Sequence, residues 1–158
     1  MYKTSYSTEL YYPAATVWAL IRDFNNYPGY IDGVTESIIE DNRSGDEVGA
    51  TRRFLYNDHW IRQKLGAHSD EHRSLTYIGI EPFVFPAGIV QDTPPPALYE
   101  GTMHLQDIKG DKTRLEWSVS VDAASQYQAS WRDLLLSLIE TWADSLKRAL
   151  DRENPRAL

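Results

Sequence analysis

The chain has 158 residues, with 23 Asp and Glu against 16 Lys and Arg, a net charge of −7 and no cysteine. A chain of that length can bury a core as one domain, residues 1–158, without covalent staples, and the missing thiols exclude disulfides, Cys-ligated zinc, iron–sulfur clusters and thiol nucleophiles. The acidic balance has no basic stripe to offset it, Arg52-Arg53 being the nearest approach, so nucleic acid is not an expected partner; with no apolar signal core after Met1 and no membrane-length apolar run, the expected location is cytoplasmic.

Tyr2 to Tyr12 alternates as a strand, with Tyr6, Thr8, Leu10 and Tyr12 on one face. Pro13 then opens a helix, where its fixed φ and missing N–H do no harm. Val17, Trp18, Leu20, Ile21 and Phe24 give that helix an apolar side. Asn25-Asn26 and Pro28-Gly29 end it, with a further turn around Tyr30.

Six short alternating segments follow. The second strand runs from about Val34 to Glu40, and the cluster Asn42-Arg43-Ser44-Gly45-Asp46 turns the chain. Asn42-Arg43-Ser44 also spells a glycosylation acceptor, a chance match in a turn of a chain without a secretory signal. The third strand, about Val48 to Tyr56, meets the fourth at Asn57-Asp58, a tight hairpin signal. Ser69-Asp70-Glu71 separates the fourth from the fifth, which ends near Ile80. The sixth covers about Leu98 to Ile108, and Lys109-Gly110-Asp111 returns it into the seventh, Arg114 to Asp122.

From Ser125 to about Asp151 the period changes to that of a helix, with Trp131, Leu134, Leu135, Leu138, Trp142, Leu146 and Ala149 as its apolar stripe. Ser125-x-x-Gln128 reads as a capping box, and Ser130-x-x-Asp133 as an alternative start. The pattern specifies an α+β fold, a seven-stranded curved antiparallel sheet wrapped around a long C-terminal helix. Such a sheet with one helix laid along it is a natural holder for an apolar guest. The connection between Ile80 and Leu98 is several-fold longer than a usual hairpin loop. It carries Phe83, Phe85, Ile89 and Val90 and then Pro94-Pro95-Pro96, so Phe83, Phe85 and Ile89 are expected to act as a lid, with an outer-face or dimer contact as the alternative.

Alternation puts Arg52 on the face of Phe54 and Tyr56, the expected inner face. An unpaired buried guanidinium costs on the order of several kcal/mol. Arg52 therefore either holds a ligand carboxylate, enolate or phenolate, pairs with a carboxylate such as Glu36, or reaches water at a cavity mouth. Gln63 and His59 share a strand face with Ile61, Leu65 and Ala67; an amide orients a guest but is no base. Tyr77, Tyr99, Met103, Trp117, Leu134, Leu138 and Trp142 fall on faces toward the sheet–helix gap, as cavity wall or as ordinary core. If the protein is an enzyme, Arg52, His59 and Tyr99 are the catalytic candidates. His68 and His72 lie across a turn and make no helical ligand pair, while Glu140 and Asp144 belong to a solvated helix face. No nucleotide, phosphate-loop, hydrolase or zinc-protease motif is present, and neither cofactor nor metal is expected.

Several stretches resemble the helix-grip fold of the START and birch-pollen-allergen superfamily, and within it the polyketide cyclase/dehydrase and lipid-transport group. Residues 13–24 resemble that group's opening helix, Gly49-Ala50-Thr51-Arg52 its G-x-x-R strand, Tyr99-Glu100-Gly101-Thr102 its Y-x-G-T and Leu115-Glu116-Trp117-Ser118 its x-x-W-S. Asn26-Tyr27-Pro28-Gly29-Tyr30 is similar to the coenzyme-Q-binding branch, whose Trp/Pro/Cys signature is missing. The resemblance implies a hydrophobic cavity between sheet and helix, and it places Gln63 where the plant abscisic-acid receptors keep a pocket carboxylate. It implies a binder or carrier of a lipid, polyketide or aromatic metabolite, with a polyketide cyclase/dehydratase or a protein-interaction module as alternatives, and a monomer or homodimer as the assembly.

Overall fold

The computed structural model describes residues 1–88 and 92–155. Its elements are β1 (Tyr2–Leu10), α1 (Ala14–Ile21), α2 (Tyr27–Tyr30), β2 (Val34–Ile39), β3 (Thr51–Tyr56), β4 (His59–Ser69), β5 (Ser74–Gly79), β6 (Tyr99–Ile108), β7 (Lys112–Val121), a single 3₁₀ turn at Ser125–Tyr127 and α3 (Gln128–Glu153). The strands form one antiparallel sheet in the order β1-β7-β6-β5-β4-β3-β2. The seven antiparallel strands and the long C-terminal helix are present as the periodicity specified them.

Period-two patterning decides which face the sheet buries. Leu75, Tyr77 and Gly79 of β5, Tyr99, Gly101, Met103 and Leu105 of β6, and Leu115, Trp117, Val119 and Val121 of β7 all point inward. At Asn57 and Asp58 φ is +47° and +68°, the left-handed pair of a type I′ turn. That turn pairs Tyr56 with His59 and sets the register back to Arg52 opposite Gln63.

Three expectations need correction. The inner face of β4 does not run on to Ala67, because a bulge at Gly66 shifts the register; Ala67 becomes exposed, and His68 turns against Trp18 with ring centroids 5.3 Å apart. Neither Ser125 nor Ser130 caps the last helix: Ser125 opens the 3₁₀ turn, Ser130 lies inside α3, and no side-chain cap bond forms at either start. The buried stripe of α3 is centred on Trp131, Leu135, Ile139, Ala143, Leu146 and Leu150, leaving Leu134 and Leu138 at its half-buried border.

Helix α3 lies against β1 and β7 and touches α2, so one flank of the sheet is packed shut and the other stands off from the helix. A buried hydroxyl fixes that geometry. Ser145 Oγ donates to the Tyr30 carbonyl at 2.7 Å and accepts from Asp32 N–H at 2.8 Å, clamping the end of α2 to α3. Helix α1 is held at its far end by Arg22, which meets Asp46 at 2.9 Å and Asp70 at 3.1 Å. Asp70 also accepts from the Trp18 indole at 2.8 Å, and these donors hold its carboxyl down at about 2. No described helix is long and apolar enough to cross a membrane.

Candidate functional site

A cavity of about 630 Å³ occupies the gap between the sheet and α3, within the usual size range of small-molecule sites. Its sheet wall carries Phe54 and Tyr56 from β3, Ile61 and Gln63 from β4, Tyr77 from β5 and Tyr99 from β6. Trp117, Val119 and Val121 of β7 continue it, and α3 contributes Leu135, Leu138 and Trp142. Tyr27 and Ile31, at and just after α2, and Val34 close the side nearest β2. Exposed residues ring the opening: His59 and Trp60 at the start of β4, and Glu81, Pro82, Val84 and Pro86 after β5.

The aromatic wall is held in shape by hydrogen bonds at its polar tips. Trp117 Nε1 donates to Tyr77 Oη at 3.0 Å, and Trp142 Nε1 donates to Tyr56 Oη at 3.1 Å. The Trp117 and Trp142 rings lie 5.6 Å apart, joining sheet to helix. Two glycines make room for two of the tyrosines. A Cβ on Gly79 would strike the Tyr99 ring, and one on Gly101 would strike the Tyr77 ring and its hydroxyl, so each phenol lies flat across the neighbouring strand's glycine.

Arg52 is fully buried on the inner face, where the alternation places it. Among the described residues no carboxylate forms an ion pair with it, and Glu36 is exposed on β2. Both Nε (3.2 Å) and Nη2 donate to Gln63 Oε1, while Nη1 is buried without a hydrogen-bond partner among the described residues. The guanidinium carbon sits 4.2 Å from the centroid of Phe24 and 3.9 Å from that of Tyr27, with Phe54 at 5.1 Å. Aromatic faces thus take the place of a counter-ion, each contact worth about 0.5–2 kcal/mol. The cation stands one layer behind the cavity and does not line it.

Gln63 transmits that arrangement forward. Its Nε2 donates to Tyr99 Oη at 3.0 Å. Burial pushes the Tyr99 phenol up to about 12, against the smaller lowering pull of the Gln63 bond and the Arg52 charge. Burial likewise raises Tyr77 well above the ordinary tyrosine value. Both are protonated throughout the physiological range, as donors and not as bases.

Of the residues singled out from the sequence, Phe54, Tyr56, Ile61, Gln63, Tyr77, Tyr99, Trp117, Leu138 and Trp142 are brought together around this one space, and His59 stands at its rim. Arg52, Leu65, Met103 and Leu134 do not reach it. Leu65 and Met103 lie on the same inward faces but are packed shut in the core, and Leu134 sits on the border of the helix stripe. Phe83 lines the cavity, with its ring 5.5 Å from Tyr99 and 5.9 Å from Trp131. Phe85 does not; it is buried against Trp131 at 5.1 Å and anchors the segment beside α3. Reciprocal backbone bonds between Phe83 and Ala97, at 2.8 and 3.0 Å, pin the base of this long connection. Ile89 lies outside the described residues.

Sequence reading missed Tyr27, Ile31, Val34, Val119, Val121 and Leu135 as lining residues. Val119 and Val121 share the inward period of Trp117 and were accessible to the same rule. Tyr27 and Ile31 were not, since only the docking of α2 on α3 turns them inward. Among the described residues no three His, Asp or Glu side chains gather as a metal site.

Comparison with known proteins places this geometry in a group. The model of the family described as polyketide cyclase / dehydrase and lipid transport matches residues 1–152. No curated protein sequence matches the chain. Among solved structures it is similar to XoxI from Bacillus cereus, at 22% identity and TM-score 0.74, covering 98% of this chain and 99% of that one. A START superfamily protein from Mycobacterium smegmatis is similar at 13% identity and TM-score 0.72, covering 96% and 99%. The di-domain ARO/CYC BexL from the BE-7585A biosynthetic pathway is similar at 12% identity and TM-score 0.67, over 96% of this chain and 46% of that one. At these identities the likenesses show a shared fold.

Proposed function

Because the chain belongs to the polyketide cyclase / dehydrase and lipid transport family, we propose that it binds and carries a small, largely apolar molecule, such as a lipid, polyketide or aromatic metabolite, between the sheet and α3. The observation that carries this reading is the cavity of about 630 Å³ with its mostly aromatic and aliphatic wall. Apolar surface of that extent gains on the order of 25 cal/mol for each Å² a guest removes from water.

A polyketide cyclase or dehydratase is the second reading, favoured by the Tyr99 hydroxyl, a protonated donor placed to stabilise a developing enolate. Carriage ranks ahead because the acid–base groups lining the space, His59 and Glu81, are exposed at the rim rather than set in the inner wall.

Native mass spectrometry of gently purified protein, followed by solvent extraction, tests the binding reading. The expected result is a co-purifying apolar species that Leu138→Trp, which fills the half-buried helix side of the cavity, excludes. A protein that carries no such species and binds naphthalene-sized probes no better than the Leu138→Trp variant would overturn it. Chemical conversion of a linear poly-β-ketone by the protein would move the assignment to the cyclase.

A further inference from the structure

Three phenols around the cavity each accept a hydrogen bond that dictates where their own proton can go. The indole N–H groups of Trp117 and Trp142 can only donate, so Tyr77 and Tyr56 are acceptors toward them. The orientation of Gln63 is fixed by the same logic. A guanidinium has no acceptor, so the oxygen of Gln63 must face Arg52 and its NH₂ must face Tyr99. Tyr99 is therefore also an acceptor, and among the described residues its O–H proton meets no acceptor. The residue is 6% exposed and lines the cavity. The inner wall thus carries an unspent donor at Tyr99 and is backed by a buried cation, whose charge is felt at both Tyr77 and Tyr99.

From this we infer that the guest carries a neutral carbonyl oxygen at its buried end and that this oxygen accepts the Tyr99 hydroxyl. Arg52 and Gln63 are positioning residues for that donor. Arg52 holds the amide in one orientation, and the amide's NH₂ occupies the phenol's acceptor side, which turns its proton toward the cavity. A carboxylate fits less well. It would lose its hydration in an aromatic chamber without touching the guanidinium, which stands behind the wall. A pure hydrocarbon would leave the donor unpaired, a loss of the order of one hydrogen bond.

The inference rests on the binding reading above, and three probes of one shape separate the two. 2-Acetylnaphthalene offers the carbonyl, 2-ethylnaphthalene fills the same space without it, and 2-naphthoate replaces it by a charge. The wild-type protein is expected to bind the ketone roughly ten-fold more tightly than the hydrocarbon and to bind the carboxylate more weakly than the ketone. The stretching frequency of the bound ketone should fall relative to the ketone in hydrocarbon solvent. Tyr99→Phe should erase both the preference and the frequency shift.

Gln63→Glu guards against a variant that simply folds poorly. It keeps the shape, supplies Arg52 with a carboxylate, and offers Tyr99 an acceptor, so the phenol proton turns away from the cavity. The ketone preference should vanish in a protein at least as stable as the parent. Equal binding of ketone and hydrocarbon by the wild type, with an unshifted carbonyl, would overturn this inference and leave the apolar carrier standing. Tightest binding of the carboxylate would overturn it in favour of an anion site. Binding of none of the three by a protein that also carries no co-purifying apolar species would overturn both readings.

Discussion

Adding a single methyl at Gly101 tests the packing of the inner wall. In β6, an alanine Cβ at this position would fall well inside van der Waals distance of the Tyr77 ring and hydroxyl. The ring has little freedom to retreat, being 3% exposed, tied to Trp117 through a 3.0 Å bond and set edge-on to Tyr27 at 6.4 Å. Overpacking of this kind costs about 1–3 kcal/mol. Breaking the Trp117–Tyr77 bond between two buried partners adds about 1–3 kcal/mol, and the stiffer unfolded chain of the alanine variant returns up to about 1 kcal/mol. The net expectation is about 3 kcal/mol, which for a chain of this length lowers Tm by roughly 6–12 °C. Gly110→Ala supplies the comparison. Gly110 adopts φ +82° in the β6–β7 turn with nothing within 4 Å of a Cβ, so its cost is confined to the backbone, about 1 kcal/mol. Thermal unfolding followed by near-ultraviolet circular dichroism reads both variants. If alanine at 101 costs no more than alanine at 110, with the aromatic signal unchanged, the phenol is not held across the glycine and the description of the wall is wrong.

Arg52→Leu should destabilise by about 1–3 kcal/mol in urea unfolding, because it leaves Gln63 Oε1 buried without a donor. Arg52→Leu combined with Gln63→Leu should cost less than the sum of the two single changes, and strict additivity would show that the amide does not depend on the guanidinium. Tyr99 predicts an alkaline limit. Its folded value, raised to about 12, lies above the ordinary 10, so its contribution is complete below pH 10 and is lost as pH rises through 12. At pH 11 the loss from this residue is about 1.4 kcal/mol. Tyr99→Phe should remove that part of the slope, as measured by unfolding at pH 9 and pH 11.

The sheet and the last helix were legible because each element repeats a simple period over enough residues to outweigh single exceptions. The turn at Asn57-Asp58 was legible for a local reason, since few residues other than glycine tolerate two consecutive left-handed positions. That turn also held more than the sequence reading drew from it. A two-residue hairpin loop pairs residues symmetrically about its centre, so Arg52 opposite Gln63 follows by counting, and an amide oxygen can accept from a guanidinium as a carboxylate does. Other features could not be counted out. The bulge at Gly66, which returns Ala67 to solvent, depends on how Ile78 and Thr76 of the next strand crowd that glycine. The exact stripe of α3 was out of reach because a helix rotates by a few tens of degrees to suit its partner, which buries Ile139 and Ala143 and leaves Leu134 at the border. The sequence by itself determined which faces are apolar. Only the tertiary structure decided which apolar residues close into core and which stand apart as cavity, because that depends on the distance between sheet and helix, set by side chains far apart in the chain.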